Sequence, residues 1–270
     1  MNLREISLKL DGWSQRSFGK LVSFYGYRIL SRRIGEEDIY FLNFGYEEEP
    51  PMGLTLEPSD ERDRYSIQLY HRTAAQIDLT GKDVLEVSCG HGGAASYITR
   101  TMRPHSYTGL DYNPAGIEFC KRKHQLPALK FVHGDAENLP FPDESFDAVI
   151  NVEAAHLYPD YPRFLREVAR VLRHGGHFLY ADLRERSQIP TWLREMESSP
   201  LRQLSGFSID AEVLRGLEKN SPRHIELINK IVPKPLRRFF QEISGVEGGG
   251  KYQQVKDGLL SYRIFLFVKD

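Results

Sequence analysis

The residues best suited to chemistry follow one another through the middle of the chain, each at the end of a short β-forming run. Glycine comes first. Val84-Leu85-Glu86-Val87-Ser88-Cys89-Gly90-His91-Gly92-Gly93 ends an apolar run in a turn whose small residues let backbone approach a ligand closely. Asp111 closes the next run about 20 residues further on, where a carboxylate can accept both hydroxyl protons of a ribose and excludes a 2′-phosphate. Asp135 follows the third run, in His133-Gly134-Asp135-Ala136-Glu137-Asn138-Leu139-Pro140-Phe141, and suits an adenine amino group with apolar neighbours sandwiching the ring. Taken alone, the turn is equally compatible with a structural turn, a dinucleotide site or a phosphate site, and either acid with a cap or a surface residue. Their common order points to an adenosine-bearing ligand. The turn lacks the Gly-x-Gly-x-x-Gly spacing that cradles a pyrophosphate.

A second group follows the fourth and fifth runs. Asn151-Val152-Glu153-Ala154-Ala155-His156-Leu157-Tyr158 should overhang the reactive end of such a ligand, and Asp182 ends the fifth run. Imidazole titrates near 6.5, so His156 is the candidate general base, with Asp182 orienting it or sharing the proton. A structural or substrate-binding histidine is the competing reading. Tyr158 is a candidate for contact with the acceptor. Tyr40, Asn43 and Tyr46 could cover the ligand from the N-terminal side, and His71 could touch it or cap a helix. His91 reads first as a local hydrogen-bonding residue.

These positions need a sheet to hold them. Runs at Val84–Val87, Ser106–Leu110, Leu129–Val132, Phe146–Val152 and Gly176–Asp182 alternate with helical patterns at Ala94–Thr101, Pro114–Lys123 and Arg163–Leu172, the last stopped by Gly175. The alternation predicts a doubly wound, mostly parallel α/β sheet, with Tyr262–Val268 as a terminal strand. The chain divides into an N-terminal helical segment (1–70), a nucleotide-binding core (71–183), a helical cap (184–258) and a final strand (259–270). Phe18, Leu21, Val22, Phe24, Tyr25 and Ile29 suggest an amphipathic helix for packing, a lid or a homo-oligomer interface. Glu47-Glu48-Glu49-Pro50-Pro51 and Glu57–Arg64 read as solvated loops. In the cap, Ile189–Leu193, Ile209–Leu217 and His224–Ile231 look helical, with breaks at Ser-Pro and Val-Pro.

With 36 basic and 37 acidic residues among 270, no overall field gathers nucleic acid, and a small-molecule or lipid acceptor fits better. The start lacks a secretory layout, and no apolar stretch approaches the ~20 residues that span a bilayer, which predicts a soluble, cytoplasmic protein. Cys89 and Cys120 give neither a disulfide framework nor a metal spacing, and metal independence is expected.

With those stretches in view, the chain resembles the class I S-adenosylmethionine-dependent methyltransferases of Rossmann-like, seven-stranded fold. The likeness covers residues 83–182 through Val84–Gly93, Gly109-Leu110-Asp111, Gly134–Phe141, Ser145-Phe146-Asp147-Ala148-Val149 and Arg170–Gly176. It implies S-adenosylmethionine as cofactor, with Glu86 and Gly90 at the methionine end, Asp111 on the ribose, Asp135 and Ala136 on the adenine and Asn151 beside the sulfonium. Ser88, Tyr112 and Glu137 flank these contacts and are counted with them. Ser88 departs from the pattern, which usually has a glycine there. Within the class the chain is similar to the mycobacterial phthiotriol and phenolphthiotriol dimycocerosates methyltransferases, which O-methylate a lipid alcohol. That likeness extends to Phe41–Glu48, Leu69–Ala74, Leu85–Gly93 and Pro200–Ser205. Resembling natural-product methyltransferases pair a histidine and an aspartate at the places of His156 and Asp182.

The resemblance leaves the acceptor open. O-methylation through a histidine base leads. The alternative is C-methylation of a prenyl alkene, with Phe207, Tyr252 and Tyr262 stabilising a cation. A non-catalytic binding module is third. A nucleic-acid base substrate is disfavoured, because Asn151-Val152-Glu153-Ala154 stands where amino-methylating relatives carry Asn-Pro-Pro-Tyr.

Overall fold

In the computed structural model, which describes residues 39–270, the site-bearing runs form one seven-stranded sheet. Its strands are β1 (Asp83–Val87), β2 (Ser106–Asp111), β3 (Leu129–His133), β4 (Phe146–Val152), β5 (Leu172–Glu185), β6 (Arg202–Ser208) and β7 (Leu260–Val268). They lie in the order β3-β2-β1-β4-β5-β7-β6. The first five are parallel, and β7 runs antiparallel to both β5 and β6. The order reverses between β1 and β4, so the carboxyl ends of these strands flank the crevice where open α/β sheets bind ligands. The amphipathic pattern expected at Phe18–Ile29 lies outside the described residues.

Helices α1 (Arg64–Ala74), α2 (Gly93–Met102), α3 (Pro114–Lys123), α4 (Tyr161–Val171), α5 (Ile189–Glu197), α6 (Asp210–Ile231), α7 (Arg237–Ile243) and α8 (Gly250–Lys256) complete the architecture. Strands β1, β2, β4 and β7 and the second half of β5 are buried on both faces, as a covered sheet requires. Along β5, Leu179, Ala181 and Leu183 join the core shared with α1, α2, α6 and α8, while Phe178 and Tyr180 join that of α4 and α5. Two entries into helices are fixed locally. Asn113 accepts from the Ala115 amide ahead of α3, and Asp160 from the Arg163 amide ahead of α4, each with proline in the first turn.

Four expectations are corrected. Helix α4 ends at Val171 with Leu172 already extended; Gly175 takes its left-handed φ of 76° later, inside β5, where its amide bonds Lys269 O. The stretch expected to be a helical cap contributes β6, an edge strand whose side chains are nearly all exposed. The Ser-Pro break does not end α6, which runs unbroken through Pro222. Glu47 is not a solvated charge either. It is 4% exposed and accepts from Gln68 (3.0 Å), Lys219 (3.1 Å) and the Met52 amide (3.3 Å).

Helix α6 crosses the segment before α1 with backbone on backbone. A Cβ on Gly216 would lie 2.2 Å from the Gly45 carbonyl carbon and the Tyr46 nitrogen. Alanine gains at most about 1 kcal/mol of helix propensity over glycine. Overpacking costs about 1–3 kcal/mol even where side chains can yield, and here only backbone could move. Gly216→Ala is therefore expected to lower Tm by several degrees; a Tm equal to or above that of the unsubstituted protein contradicts this packing.

Candidate active site

The turn after β1 is built by three positive φ angles, at Ser88 (63°), Gly90 (57°) and Gly92 (76°). Its glycines divide the work. A Cβ on Gly92 would strike His124 and Phe131, and one on Gly93 would strike the Phe41 ring and the Tyr40 carbonyl, so both serve packing around the turn. Gly90 instead donates its amide to Asp111 Oδ2 at 2.9 Å, while Asn113 N donates to Oδ1 at 2.8 Å. Burial pushes the Asp111 carboxyl up to about 6 against the pull of these amides.

Behind the turn, Ser88 Oγ lies 2.6 Å from Tyr158 Oη, which accepts from Asn151 Nδ2 at 3.0 Å; that nitrogen also donates to Val87 O at 2.9 Å. Tyr158, expected to face the acceptor, thus ties the end of β4 to the turn. The left-handed conformation at Ser88 costs about 1–2 kcal/mol and holds because its hydroxyl and the turn are bonded on either side. Two buried acceptors in this region lack a protein partner: Asn151 Oδ1 and Glu86 Oε1. Glu86 Oε2 accepts from Tyr107 Oη at 2.8 Å, and burial pushes its carboxyl up to about 7. Unmet buried acceptors are rare in folded proteins and call for a donor-rich ligand.

The adenine-side positions are looser. Asp135 is exposed and caps the Glu137 amide at 2.8 Å, beside the buried Ala136; Glu137 accepts from Asp160 N at 2.7 Å. Tyr112 is 54% exposed. Tyr40 packs its ring on Phe119 and His124, Tyr46 bonds Glu48, and His71 Nδ1 meets Tyr97 Oη at 2.8 Å. His91 is buried against Ile39 O, the local role expected for it.

Across the crevice, Asp182 and His156 come together. Nδ1 of His156 lies 2.8 Å from Asp182 Oδ1, and the His156 amide donates to Oδ2 at 2.8 Å. Asp182 is fully buried and also accepts from Leu183 N, Tyr180 Oη (2.9 Å) and Arg184 Nη1 (2.8 Å). Burial raises its carboxyl, but the Arg184 guanidinium, His156 and these donors outweigh that and hold it well below the usual carboxylate range. An ionised carboxylate only accepts, so Nδ1 carries the proton and neutral His156 has a bare Nε2. The ring is 28% exposed.

Two residues of this network escaped sequence reasoning although a signal existed. Tyr180, Asp182 and Arg184 alternate along β5, so they share one face, and the Arg184 guanidinium sits 4.5 Å from the Trp192 ring centre. Glu153 gave no signal. It holds φ at 53° past the end of β4 and accepts from the Phe44 amide (2.9 Å) and Tyr262 Oη (3.2 Å).

This geometry can be set beside known proteins. A family described as a methyltransferase domain matches residues 85–180. Over 251 residues the chain is 56% identical to phthiotriol/phenolphthiotriol dimycocerosates methyltransferase of Mycobacterium tuberculosis, covering 93% of each chain. The chain belongs to that methyltransferase family. It is also 53% identical over 243 residues to the fatty-acid O-methyltransferase of Mycolicibacterium smegmatis, covering 90% of this chain and 88% of that one. The fold matches the crystal structure of a putative sarcosine dimethylglycine methyltransferase from Galdieria sulphuraria, with TM-score 0.67 and 19% identity over 90% of this chain and 98% of that one.

The protein is therefore an S-adenosylmethionine-dependent methyltransferase, and its crevice fits the cofactor. The unmet buried oxygens of Glu86 and Asn151 suit the donor groups of that cofactor. Among the described residues, no three His, Cys, Asp or Glu side chains are grouped to hold a metal. The aromatics expected to stabilise a cation are engaged elsewhere in the methyltransferase. Phe207 lies on the edge strand β6 under the Arg72 guanidinium, and Tyr252 is buried with its hydroxyl on Glu218 at 2.8 Å. Tyr262 is buried with its hydroxyl on Glu153 at 3.2 Å.

Burial pushes the Glu153 carboxyl up to about 8. A carboxyl whose folded value lies above the unfolded value near 4.3 keeps a proton that the unfolded chain releases, so stability falls as pH rises from about 4.3 towards 8. Glu153→Gln removes that loss. The Tm of the variant relative to the unsubstituted protein should rise between pH 5 and pH 8; a difference constant across that range refutes the assignment.

Proposed function

We propose that this methyltransferase O-methylates a hydroxyl of a lipid, with His156 as general base and Asp182 as the group that orients it. One observation carries the reading: His156 Nδ1 lies 2.8 Å from an Asp182 carboxylate that the Arg184 guanidinium keeps ionised. That bond fixes the tautomer and leaves Nε2 unprotonated on a partly exposed ring, able to take the acceptor's proton. S-adenosylmethionine, when bound, supplies an electrophilic methyl group.

The residues of the chain have three tasks. Gly90, Asp111, Glu86 and Asn151 hold the donor, Ser88 and Tyr158 fix the turn beneath it, and His156 removes the proton as the acceptor oxygen loses its hydrogen. Asp182 keeps the imidazolium paired once it forms. The names of the relatives, one acting on phthiotriol dimycocerosates and one on fatty acids, support a lipid acceptor. C-methylation of an alkene draws no support from Phe207 or Tyr252, whose side chains are engaged by Arg72 and Glu218.

His156→Ala is expected to lower kcat on a hydroxylated lipid by about 100-fold or more and to leave S-adenosylhomocysteine affinity, read by calorimetry, nearly unchanged. Turnover near that of the unsubstituted enzyme would remove His156 as the base. Failure to bind S-adenosylhomocysteine at millimolar concentration would contradict the cofactor site itself.

A further inference from the structure

Beyond the crevice, one face of the molecule presents apolar and basic side chains together. The segment from Lys234 to Ile243 is helical throughout, a short 3-10 turn leading into α7. Leu236, Phe239 and Ile243, at i, i+3 and i+7, form one stripe and are 50%, 53% and 46% exposed. Phe240 turns the other way, onto a small cluster of Ile228, Val232 and Val246 that anchors the helix. The stripe is therefore a surplus of apolar surface left after α7 has found its packing.

Charge surrounds the stripe with one sign. Residues 230–244 contain Lys230, Lys234, Arg237 and Arg238 against a single acid, Glu242, in a chain whose overall charge is -1. Glu242 is committed to the Gly250 amide at 2.7 Å. Arg237 donates to the carbonyls of Val232 and Asn229, which orients its guanidinium without neutralising it. The turn after α7 packs on the core beside Phe44. A Cβ on Gly245 would lie 3.1 Å from the Phe44 ring, and the Phe44 amide is the one held by Glu153.

We infer that this face docks the enzyme on an anionic lipid bilayer, with Leu236, Phe239 and Ile243 entering the headgroup boundary and Lys234, Arg237 and Arg238 contacting anionic headgroups. An apolar stripe flanked by Lys and Arg is the pattern of an interfacial helix. The stripe is short, about half exposed and bordered by cations, which suits insertion among anionic lipids better than capture of a peptide. A second copy related by a two-fold axis would set the same cations against one another. The inference goes beyond the acceptor reading and does not depend on it.

The test is co-sedimentation of the full chain, without cofactor or acceptor, with vesicles of phosphatidylcholine alone or mixed with phosphatidylglycerol. Binding should require phosphatidylglycerol, weaken as salt is raised, and fall about tenfold or more in Phe239→Ser, Leu236→Ser and Arg238→Glu. Turnover of a water-dispersible short-chain alcohol should be unchanged in all three, so this inference can fail while the catalytic reading stands. Equal binding to both vesicles, no binding, or binding insensitive to the substitutions overturns the inference. A dimeric mass that Phe239→Ser converts to a monomer also overturns it, by assigning the stripe to a second copy.

Discussion

The buried carboxylate of Asp182 is the constraint around which β4, β5 and the helices packed beside them are organised. A charge taken out of water is costly, and several kcal/mol per ion remain even after relaxation unless the lone pairs are met. Here they are met by two backbone amides, a tyrosine, an arginine and a histidine. Each donor comes with structure attached. Leu183 N belongs to the same strand, His156 N lies in the short helical turn after β4, and the Arg184 guanidinium is held over Trp192 of α5 and Tyr161 of α4. Satisfying one carboxylate therefore fixes β4, β5, α4 and α5 relative to one another, and the imidazole inherits that rigidity.

The turn after β1 and its neighbours show the opposite arrangement. Glu86 and Asn151 each leave one buried oxygen without a protein partner, and the carboxyls of Glu86 and Asp111 are pushed up by burial. Acceptors held this way are poised to gain from a cationic, hydroxyl-bearing ligand and are costly while unmet. One wall of the site thus has its buried charge fully met within the protein, whereas the other keeps buried acceptors open.

Most of the core was legible because alternation of β runs and amphipathic helices is a property of local sequence. β4 and α3 appear at the expected bounds, and β1, β2 and β3 within a residue of them. The edge strand β6 was not legible, since Arg202–Ser208 is solvated on both faces and carries no apolar alternation. Proline in α6 misled for a different reason. Loss of an internal bond costs about 3 kcal/mol in an isolated helix, but Val213, Gly216, Leu217, Asn220 and Ser221 are buried before Pro222 and Ile228 after it, so packing outweighs the local penalty. Glu47 looked like one of three solvated acids because its partners, Gln68 and Lys219, are distant in sequence. The site divided the same way: Asp111, His156 and Asp182 sit at strand ends that could be counted, whereas Glu153 depends on Phe44, 109 residues away.

The claim at the centre of this account is that Asp182 holds neutral His156 with its proton on Nδ1, leaving Nε2 free to act. Nitrogen-15 NMR of the histidine-labelled enzyme, with His156 assigned from its alanine variant, reads this directly. The account predicts a protonated Nδ1 and an unprotonated Nε2 for the neutral ring, with the preference weakened in Asp182→Asn. A neutral ring carrying its proton on Nε2 would contradict it.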